Sequence, residues 1–598
     1  MRRIVLSSAL SITLVATTLA VTQSASSADT TGPTSTLTST ASKAVAGAAT
    51  DYVVLYDVGT TDTMARAAIA AAGGTVVSSN TEVGYALVSS TASDFLTKAG
   101  STAGLVGAAA NRSIGKTPND ALTDPAAIDR VAAVKAVEKL TATERKETVT
   151  GDVSLKSLAK RAPTEEPLAP LQWDMAAIGA TVEGSYATQP GKKKVTVGII
   201  DTGVDGTHPD IAPNFDAKDS RNFVKDMPDI DGPCEVASCV DPVNVDDDGH
   251  GTHVASTIGA PLNGIGIAGV APNVNLVNIR AGQDSGYFFL QPTLDALTYA
   301  ADSGVDVVNM SFYVDPWLYN CQANPADSPA EQQQQRVIVA AVQRAIDYAR
   351  SKGVLPVSAS GNEATDLGAP GVDTTSPDYP IDADGNPTQT RDRTIDNATC
   401  LNVPAENDGV VTVNSTGPSG RKSYYSNYGT EQSDVSAPGG DAYDTANQRV
   451  SPVGEVLAAY PEAIALASGD VDENGEPTTP FVIRQVTKNG KNAYYQYLQG
   501  TSMASPHAAG VAALIVSQYG KRDPAHPGTL TLDPAVTEAI LLGSATDTAC
   551  PVPAEFTYRR VSAALGEIVT TATCAGPADD NGFYGEGIVN AARAVSMF

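Results

Sequence analysis

The sequence predicts an α/β protein in which a parallel sheet flanked by helices is preceded by a small α+β unit. Two patterns lead to this prediction. From residue 171 to residue 598, short apolar strands alternate with helical stretches, which is typical of a parallel sheet covered by helices. Before them, residues 51–114 show the order strand, helix, strand, strand, helix, strand, which indicates a ferredoxin-like unit.

The first residues predict export. Arg2 and Arg3 precede an apolar run, and small residues follow it up to Ala28, so residues 1–28 have the layout of a signal peptide. The alternative is an N-terminal membrane anchor, which the Ser and Thr residues that interrupt the run disfavour. We expect a secreted, extracellular protein that has no membrane segment once the signal peptide is removed.

The remaining chain divides into four segments. Residues 29–50 are rich in Ser, Thr and Ala and predict a disordered linker. Residues 51–114 are the α+β unit, and the polar residues 115–170 form a protease-sensitive connector before the main domain at 171–598. Lys160 and Arg161 in the connector are either a processing site or solvated charge.

The overall composition excludes some partners. A formal net charge of −28 disfavours a nucleic-acid partner, because phosphate binding needs clustered Lys and Arg. The six cysteines of an exported chain can pair in an oxidising compartment, and several connectivities are open to them. Proximity and elimination favour three pairs, which are Cys234 with Cys239, Cys550 with Cys574, and Cys321 with Cys400.

The first strand of the main domain ends at a carboxylate. Residues 194–200 are an apolar, β-branched run, and Asp201 follows them directly. In open α/β sheets, ligands and catalytic groups gather at the carboxyl ends of the strands. Alone, an Asp after a strand is more often a helix cap or a turn residue.

Two further motifs carry a base and a nucleophile. His250 and His253 begin an apolar helical stretch, but the Glu of a His-Glu-x-x-His zinc motif is absent, so one general base and one structural histidine fit better. Ser502 begins a helix of small residues, where backbone N–H groups favour a developing negative charge. A lone Ser at such a position would be only an N-cap.

Together these motifs resemble a known family. The segments around Asp201, His250 and Ser502, in that order, resemble the three signature blocks of the subtilisin-like serine peptidases. Residues 357–363 are similar to the block that holds the oxyanion-hole residue, here Asn362. The resemblance covers residues 171–598 and implies a subtilisin-like sheet and a secreted endopeptidase that works through a catalytic triad and an acyl-enzyme.

The resemblance also implies a propeptide and a substrate cleft. The unit at 51–114 resembles the family's propeptide, which implies an intramolecular inhibitor that is removed by self-maturation. Ser311, Phe312 and Gly361 match residues that bind substrate. Tyr313 stands where the family often has Gly, so either its side chain narrows the cleft or the strand bends away. Two insertions, at 226–248 and roughly at 463–497, are expected to border the cleft.

No cofactor is needed for this chemistry, and the resemblance allows structural calcium. Asp210 and Asn263, the latter in the loop 261–267, match the family's calcium ligands in kind, whereas an Asp near a turn is otherwise a solvated residue. Metal ligands are therefore left unassigned. The expected partners are protein or peptide substrates and the chain's own propeptide, and a monomer is the default.

Three other functions are consistent with parts of the sequence. A catalytically silent subtilisin-like scaffold that binds proteins has no need for all four of Asp201, His250, Ser502 and Asn362. A nucleotide-binding strand and turn at 197–206 lacks the Gly-rich loop or Lys that would cradle phosphates. Esterase or peptide-transfer activity uses the same acyl intermediate and stays open.

Overall fold

In a computed structural model of the chain, the N-terminal unit is a four-stranded antiparallel sheet with two helices. The structure describes residues 49–111, 137–140, 142–146, 164–228, 230–378, 391–562 and 566–597. The predicted signal peptide, nearly all of the 29–50 linker, and most of the connector with Lys160 and Arg161 lie outside the described residues. The elements of the unit are β1 Thr50–Tyr56, α1 Asp62–Ala72, β2 Thr75–Asn80, β3 Tyr85–Ser90, α2 Phe95–Ala99 and β4 Leu105–Ala110.

This unit has the predicted element order, and its strands lie in the order β2-β3-β1-β4. Strand β1 is buried on both faces because two layers cover the sheet. Val54 and Tyr56 pack with α1 and α2, whereas Val53 and Leu55 pack against the main domain. Thr61 caps the start of α1, and Gly73 ends it at a φ of 95°.

The main sheet has seven parallel strands in the order β15-β14-β10-β8-β5-β7-β6. Its strands are β5 Thr196–Ile200, β6 Arg221–Asn222, β7 Asn275–Arg280, β8 Val307–Met310, β10 Leu355–Ala359, β14 Val411–Thr416 and β15 Val435–Pro438. These strands are short and mostly apolar, as expected of a sheet buried on both faces. The predicted fold class is confirmed.

Helices lie on both faces of this sheet. All described helices after the N-terminal unit are α3 Ala142–Lys146, α4 Trp173–Ala177, α5 Ser185–Thr188, α6 His250–Gly259, α7 Leu290–Ser303, α8 Pro329–Ser351, α9 Glu462–Ala467, α10 Thr501–Tyr519, α11 Pro534–Gly543 and α12 Ala591–Ala594. Helices α6 and α10 belong to one apolar cluster, and α7 and α8 to the other. Among the described residues, none of the helices combines the length and apolar character that crossing a bilayer requires.

The main domain also contains several smaller antiparallel sheets. Strands β16 Val456–Tyr460, β17 Val482–Val486 and β18 Asn492–Leu498 form an antiparallel sheet, so the 463–497 insertion is largely folded. The sequence analysis did not predict this sheet. The other pairs are β9 Asn320–Cys321 with β13 Cys400–Leu401, β11 Gly371–Asp373 with β12 Arg393–Ile395, β19 Lys521–Arg522 with β20 Leu530–Thr531, and β21 Glu555–Ser562 with β22 Gly566–Thr573.

The covalent links and the two ends of the main domain complete the fold. The three disulfides join Cys234 to Cys239, Cys321 to Cys400 and Cys550 to Cys574, which confirms the pairing inferred from proximity and elimination. Near the C-terminus, Asn590 caps α12. The N–H of Ala591 donates to the carbonyl of Ile178 at 2.8 Å, so the last helix is attached to the first turns of the domain.

Candidate active site

Asp201 lies directly after β5, at the carboxyl edge of the main sheet. Its side chain is fully buried, and its Oδ1 accepts a hydrogen bond from the N–H of Thr202 at 2.8 Å. The carbonyl of Asp201 accepts from the N–H groups of Ala281 and Gly282, which follow the neighbouring strand β7. The carboxylate is therefore fixed from both its backbone and its side chain.

His250 is the first residue of α6, and it faces Asp201. Its Nδ1 lies 2.7 Å from Asp201 Oδ1. This contact requires a glycine at the next position, because a Cβ on Gly251 would come within 2.1 Å of the Gly203 carbonyl and 3.0 Å of Asp201 Cβ. The Gly-rich sequence around His250 is thus what allows the helix to begin against the sheet edge.

The imidazole of His250 is held between two carboxylates. On the side opposite Asp201, its Nε2 lies 3.6 Å from Oε2 of Glu138. Burial of the ring opposes protonation, but the charges of Asp201 and Glu138 outweigh it and hold the pKa of His250 well above its ordinary value. The two carboxylates therefore favour the imidazolium form of His250, in which Nε2 cannot accept a proton.

Ser502 lies in the first turn of α10, and this helix packs against α6. Its Oγ donates to the carbonyl of Ser311 at 3.4 Å, and no hydrogen bond joins it to His250, although the structure describes both side chains. The first N–H groups of a helix have no partner within the helix, so the N–H of Ser502 is available to an anion. Small residues along α10 let it pack closely, since a Cβ on Gly510 would lie 2.5 Å from Val270.

Asn362 lies in the loop after β10, and Thr501 orients its amide. Its Oδ1 accepts from both the N–H and the Oγ1 of Thr501 at 2.9 Å, which turns Nδ2 toward the cleft. Nδ2 then donates to Oε1 of Glu138 at 3.3 Å. Gly361 has a φ of 104° and donates its N–H to Thr501 Oγ1 at 3.1 Å, so it supports this loop.

A short piece of the connector covers these residues. We call residues 137–140 and 142–146 the strap. The N–H of Gln499 donates to the carbonyl of Glu138 at 3.1 Å, and the Gln499 amide donates to the carbonyl of Val137 at 2.9 Å. Leu140 is buried in an apolar cluster that includes Tyr497. The strap therefore places the Glu138 carboxylate between His250 and Asn362.

The other charged groups of the strap bind the 463–497 insertion and its surroundings. Lys139 Nζ lies 2.9 Å from Asp470 Oδ2, and Arg145 Nη1 lies 3.1 Å from Asp470 Oδ1. The hydroxyl of Tyr443 donates to Oε1 of Glu144 at 2.7 Å. These contacts anchor the strap on both sides of Leu140.

A cleft of about 330 Å³ adjoins His250. Ser311, Phe312 and Tyr313 line it, and Phe312 stacks on Phe288 with ring centroids 4.0 Å apart. Strand β8 ends at Met310, so Tyr313 lies beyond the strand while its side chain still borders the cleft. Gly361 is not among the residues that line this space. Both insertions reach it, through Asp247, Asp248, Ile464, Ser468 and Gln496.

The other histidines bind partners away from the reaction centre. His253 Nε2 contacts the carbonyl of Val456 at 3.1 Å, and burial lowers the pKa of His253 to about 3. His507 lies 3.0 Å from Asp174, and His208 lies 3.0 Å from the carbonyl of Tyr494. Both ring nitrogens of His208 and His507 have hydrogen-bond partners, whereas Nδ1 of His253 has none among the described residues.

The residues first considered for calcium do not fit a cation. Asp210 Oδ1 accepts from the Asn263 amide at 3.1 Å, and its Oδ2 accepts from the Ile267 N–H at 2.9 Å and the Tyr495 hydroxyl at 3.1 Å. Hydrogen-bond donors surround this carboxylate, whereas calcium requires a cage of oxygen acceptors.

An acidic cluster between the 226–248 insertion and Asp284, which follows β7, fits a cation better. Carboxylate oxygens of Asp226, Glu235 and Asp284 lie within 4.8 Å of one another. Asp226 is buried, and neither of its carboxylate oxygens has a hydrogen-bond partner among the described residues. Burial raises the pKa of Asp226 to about 6 and that of Asp284 to about 7. A hard cation such as Ca²⁺ would satisfy the two oxygens of Asp226, while Asp284 also pairs with Arg280 through Oδ1.

Glu138 was not predicted as part of the site. Glu138 lies in the polar connector, and nothing in its local sequence distinguishes it from other charged residues there. Asp470 was not predicted as a site residue, although it belongs to the 463–497 insertion that was expected to border the cleft. The role of a carboxylate follows from the residues that it contacts, and the residues that Glu138 and Asp470 contact across the strap are distant from them along the chain.

Comparison with protein families identifies one match. The model of the Subtilase family matches residues 192–582. A thermophilic serine proteinase of Bacillus sp. (strain AK1) is 30% identical over 329 residues, which are 55% of this chain and 53% of that protein. The match thus spans about half of that relative's length.

Other relatives agree with this match, and a solved structure has a similar fold. Subtilisin DY of Bacillus licheniformis is 28% identical over 54% of this chain and 77% of its own length, and thermitase of Thermoactinomyces vulgaris is 27% identical over 58% and 80%. A crystal structure of the epidermin leader peptide processing serine protease from Staphylococcus aureus has a TM-score of 0.55 at 22% identity. The alignment covers 92% of this chain and 99% of that one, and it bears on the fold alone.

Proposed function

This chain belongs to the Subtilase family and is a subtilisin-like serine peptidase, and on that premise we propose that it is an exported endopeptidase whose triad is Asp201, His250 and Ser502. Its substrates are proteins or peptides. The observation that carries the proposal is the 2.7 Å contact of His250 Nδ1 with Asp201, at the sheet edge where Ser502 begins a buried helix. Each of the three residues has the role that its chemistry allows.

The reaction begins with Ser502. His250, oriented by Asp201, takes the Oγ proton through Nε2 as Ser502 attacks the peptide carbonyl. The Asn362 amide and the Ser502 N–H bind the oxyanion that forms. His250 then returns the proton to the departing amine, and water hydrolyses the acyl-enzyme by the same steps.

The strap explains why the full chain is a zymogen. Its Glu138 occupies the place between Nε2 of His250 and the Asn362 amide that substrate and oxyanion need. The Ser502 hydroxyl donates to Ser311 instead of to His250. The chain therefore matures when the connector is cut and the strap leaves, together with the propeptide unit at 51–114.

Structural calcium belongs to the acidic cluster of Asp226, Glu235 and Asp284. A bound Ca²⁺ would supply positive charge that stabilises this loop, and it takes no part in peptide hydrolysis. We expect EDTA to lower the Tm of the Ser502→Ala protein and added CaCl₂ to restore it, with the Asp226→Asn variant insensitive to both. An equal response of wild-type and Asp226→Asn chains would place the ion elsewhere.

The experiment that tests the proposed function compares secreted wild type with Ser502→Ala. Intact mass reports maturation, casein digestion reports activity, and a serine-directed fluorophosphonate reports the nucleophile. Ser351→Ala is the matched control, because Ser351 is exposed at the end of α8. We expect the wild type and the control to lose the propeptide, digest casein and gain one adduct, and Ser502→Ala to do none of these.

The rival functions give different results. If wild type and Ser502→Ala both stay full length, inert and unlabelled, the chain is a binding scaffold with a subtilisin-like fold. If the wild type is labelled and hydrolyses activated esters but cleaves no peptide bond, its acyl-enzyme serves esterase or transfer chemistry.

A further inference from the structure

Asp470 holds two cations of the strap. Lys139 Nζ and Arg145 Nη1 contact its two oxygens at 2.9 Å and 3.1 Å. Tyr460 completes the arrangement, because its hydroxyl lies 3.2 Å from Asp470 Oδ2 and 3.1 Å from Lys139 Nζ. The Lys139 ammonium also lies 5.3 Å from the centroid of the Tyr460 ring. A carboxylate beside an aromatic face is a suitable receptor for a lysine or arginine side chain.

This receptor adjoins the reaction centre. Lys139 follows Glu138, and Glu138 lies between His250 and Asn362. Lys139, Tyr460 and His250 line the same cleft. A peptide that crosses the reaction centre can therefore place a neighbouring side chain where the strap places Lys139.

The receptor loses its cations when the strap leaves. With the strap bound, only 9% of the Asp470 side chain is exposed. Among the described residues outside the strap, the Tyr460 hydroxyl is the one group that donates to its carboxylate. Once the strap has left, this carboxylate keeps one neutral donor and no cation, so a cationic side chain from a new peptide gains a charge-assisted contact there.

The remainder of the cleft has the same sign of charge. Asp247, Asp248 and Asp315 line it together with the one imidazole. Such a lining raises the local concentration of cationic peptides.

We propose that Asp470 and Tyr460 form a subsite of the mature peptidase that binds a lysine or arginine side chain of the substrate, beside the scissile bond. This inference rests on the proposed function. The strap occupies the subsite in the zymogen with Lys139 and Arg145, and the substrate replaces them after maturation. Peptides with a basic residue at one position near the scissile bond are therefore cleaved in preference to neutral ones.

The test uses matured enzyme and pairs of fluorogenic peptides. The two members of a pair differ by Lys or norleucine at a single position, and this position is moved through both sides of the scissile bond. Wild type is compared with Asp470→Asn, with Tyr460→Phe, and with the control Asp472→Asn, an exposed carboxylate on the same insertion. Fluorophosphonate titration sets the concentration of active enzyme in each preparation.

We expect one position at which wild type and Asp472→Asn prefer Lys. At that position Asp470→Asn loses about ten-fold or more in kcat/KM for the Lys peptide and keeps its rate on the norleucine peptide. Tyr460→Phe should lose part of the preference. A wild type that cleaves both members of every pair equally, or an Asp470→Asn enzyme that keeps the full preference, would refute the subsite. A wild type that is neither labelled nor active refutes the proposed function instead.

Discussion

At the scale of single residues, the site depends on side chains that are oriented by neighbours from other elements. Asn362 comes from the loop after β10, but Thr501 of α10 decides which way its amide points. Glu138 comes from the strap and meets both Asn362 and His250. Each of these groups acts only when the other elements are in place.

Asn362→Ala should reduce kcat with little change in KM. Loss of one oxyanion donor typically costs about 2.7–4 kcal/mol of barrier, or roughly 10²–10³ in kcat. The control is Asn474→Ala, since Asn474 lies in an exposed turn of the insertion. Steady-state kinetics on one peptide measures both variants. Equal kcat for Asn362→Ala and wild type would remove Asn362 from the oxyanion hole.

Glu138→Gln should lower the pKa of His250 in the uncut chain. Burial lowers this pKa, and the charges of Asp201 and Glu138 raise it above the ordinary value by a larger amount. When the Glu138 carboxylate is removed, only the charge of Asp201 opposes the lowering of the His250 pKa by burial. A pH titration of the imidazole by NMR in the Ser502→Ala background measures the shift. An unchanged pKa would show that Glu138 does not face His250 in solution.

The same contact gives the strap a pH dependence. The docked strap raises the pKa of His250. The contact between Glu138 and His250 therefore contributes its full free energy of docking at low pH, and this contribution is lost as the pH rises through the raised pKa. We therefore expect an added protease to cut the connector of Ser502→Ala faster at high pH, with less pH dependence in the Glu138→Gln double variant.

At the scale of elements, two glycines show how closely the site elements approach. Gly251 lets α6 begin against β5, and Gly510 lets α10 cross Val270. Such approaches leave no room for a methyl group, so they fix the depth at which His250 and Ser502 lie. The sequence motifs around these two residues are short because the geometry that they encode is local.

Gly251→Ala should destabilise the fold by about 1–3 kcal/mol, because its Cβ would collide with the Gly203 carbonyl. The control Gly543→Ala adds a Cβ in α11 whose nearest neighbour is 3.9 Å away, and it should be neutral or slightly stabilising. Urea unfolding in the Ser502→Ala background compares them. A Gly251→Ala protein as stable as the control would show that the edge can relax.

Local patterns therefore predicted much of the fold and the core of the candidate site. The strand before Asp201 and the helices that carry His250 and Ser502 in their first turns follow from the apolar and small residues of these segments, and the structure contains all three elements. The contacts of Glu138 and Asp470 did not follow, because each joins residues hundreds of positions apart. The β16-β18-β17 sheet was not predicted either, because most of its residues lie in a segment that was interpreted as a loop insertion.

At the scale of the whole molecule, the N-terminal unit and the strap bind different faces of the main domain. The sheet of the unit packs on α7 and α8, where Arg344 donates to the carbonyl of Tyr56 at 2.8 Å and Gln333 to that of Val106 at 3.1 Å. The strap covers the reaction centre itself. On the proposed function, we expect the unit to anchor the propeptide and the strap to obstruct the active site.

A propeptide of residues 49–146 should therefore inhibit the matured enzyme in trans more tightly than one of residues 49–111. Both carry the sheet that binds α7 and α8, but only the longer one carries Glu138 and the anchors of the strap. Inhibition constants on one peptide substrate measure the difference, with Glu138→Gln in the longer propeptide as control. Equal constants would mean that the strap adds nothing to the anchor.

The hydrogen bond between Ala591 and Ile178 has a consequence for the lifetime of the enzyme. Because the last helix is attached to the first turns of the main domain, neither end can fray without disturbing the other. Terminal fraying is the usual entry point for proteolytic trimming. For a peptidase that meets other copies of itself, this hydrogen bond therefore slows the local opening that a cut near Ile178 or Ala591 requires.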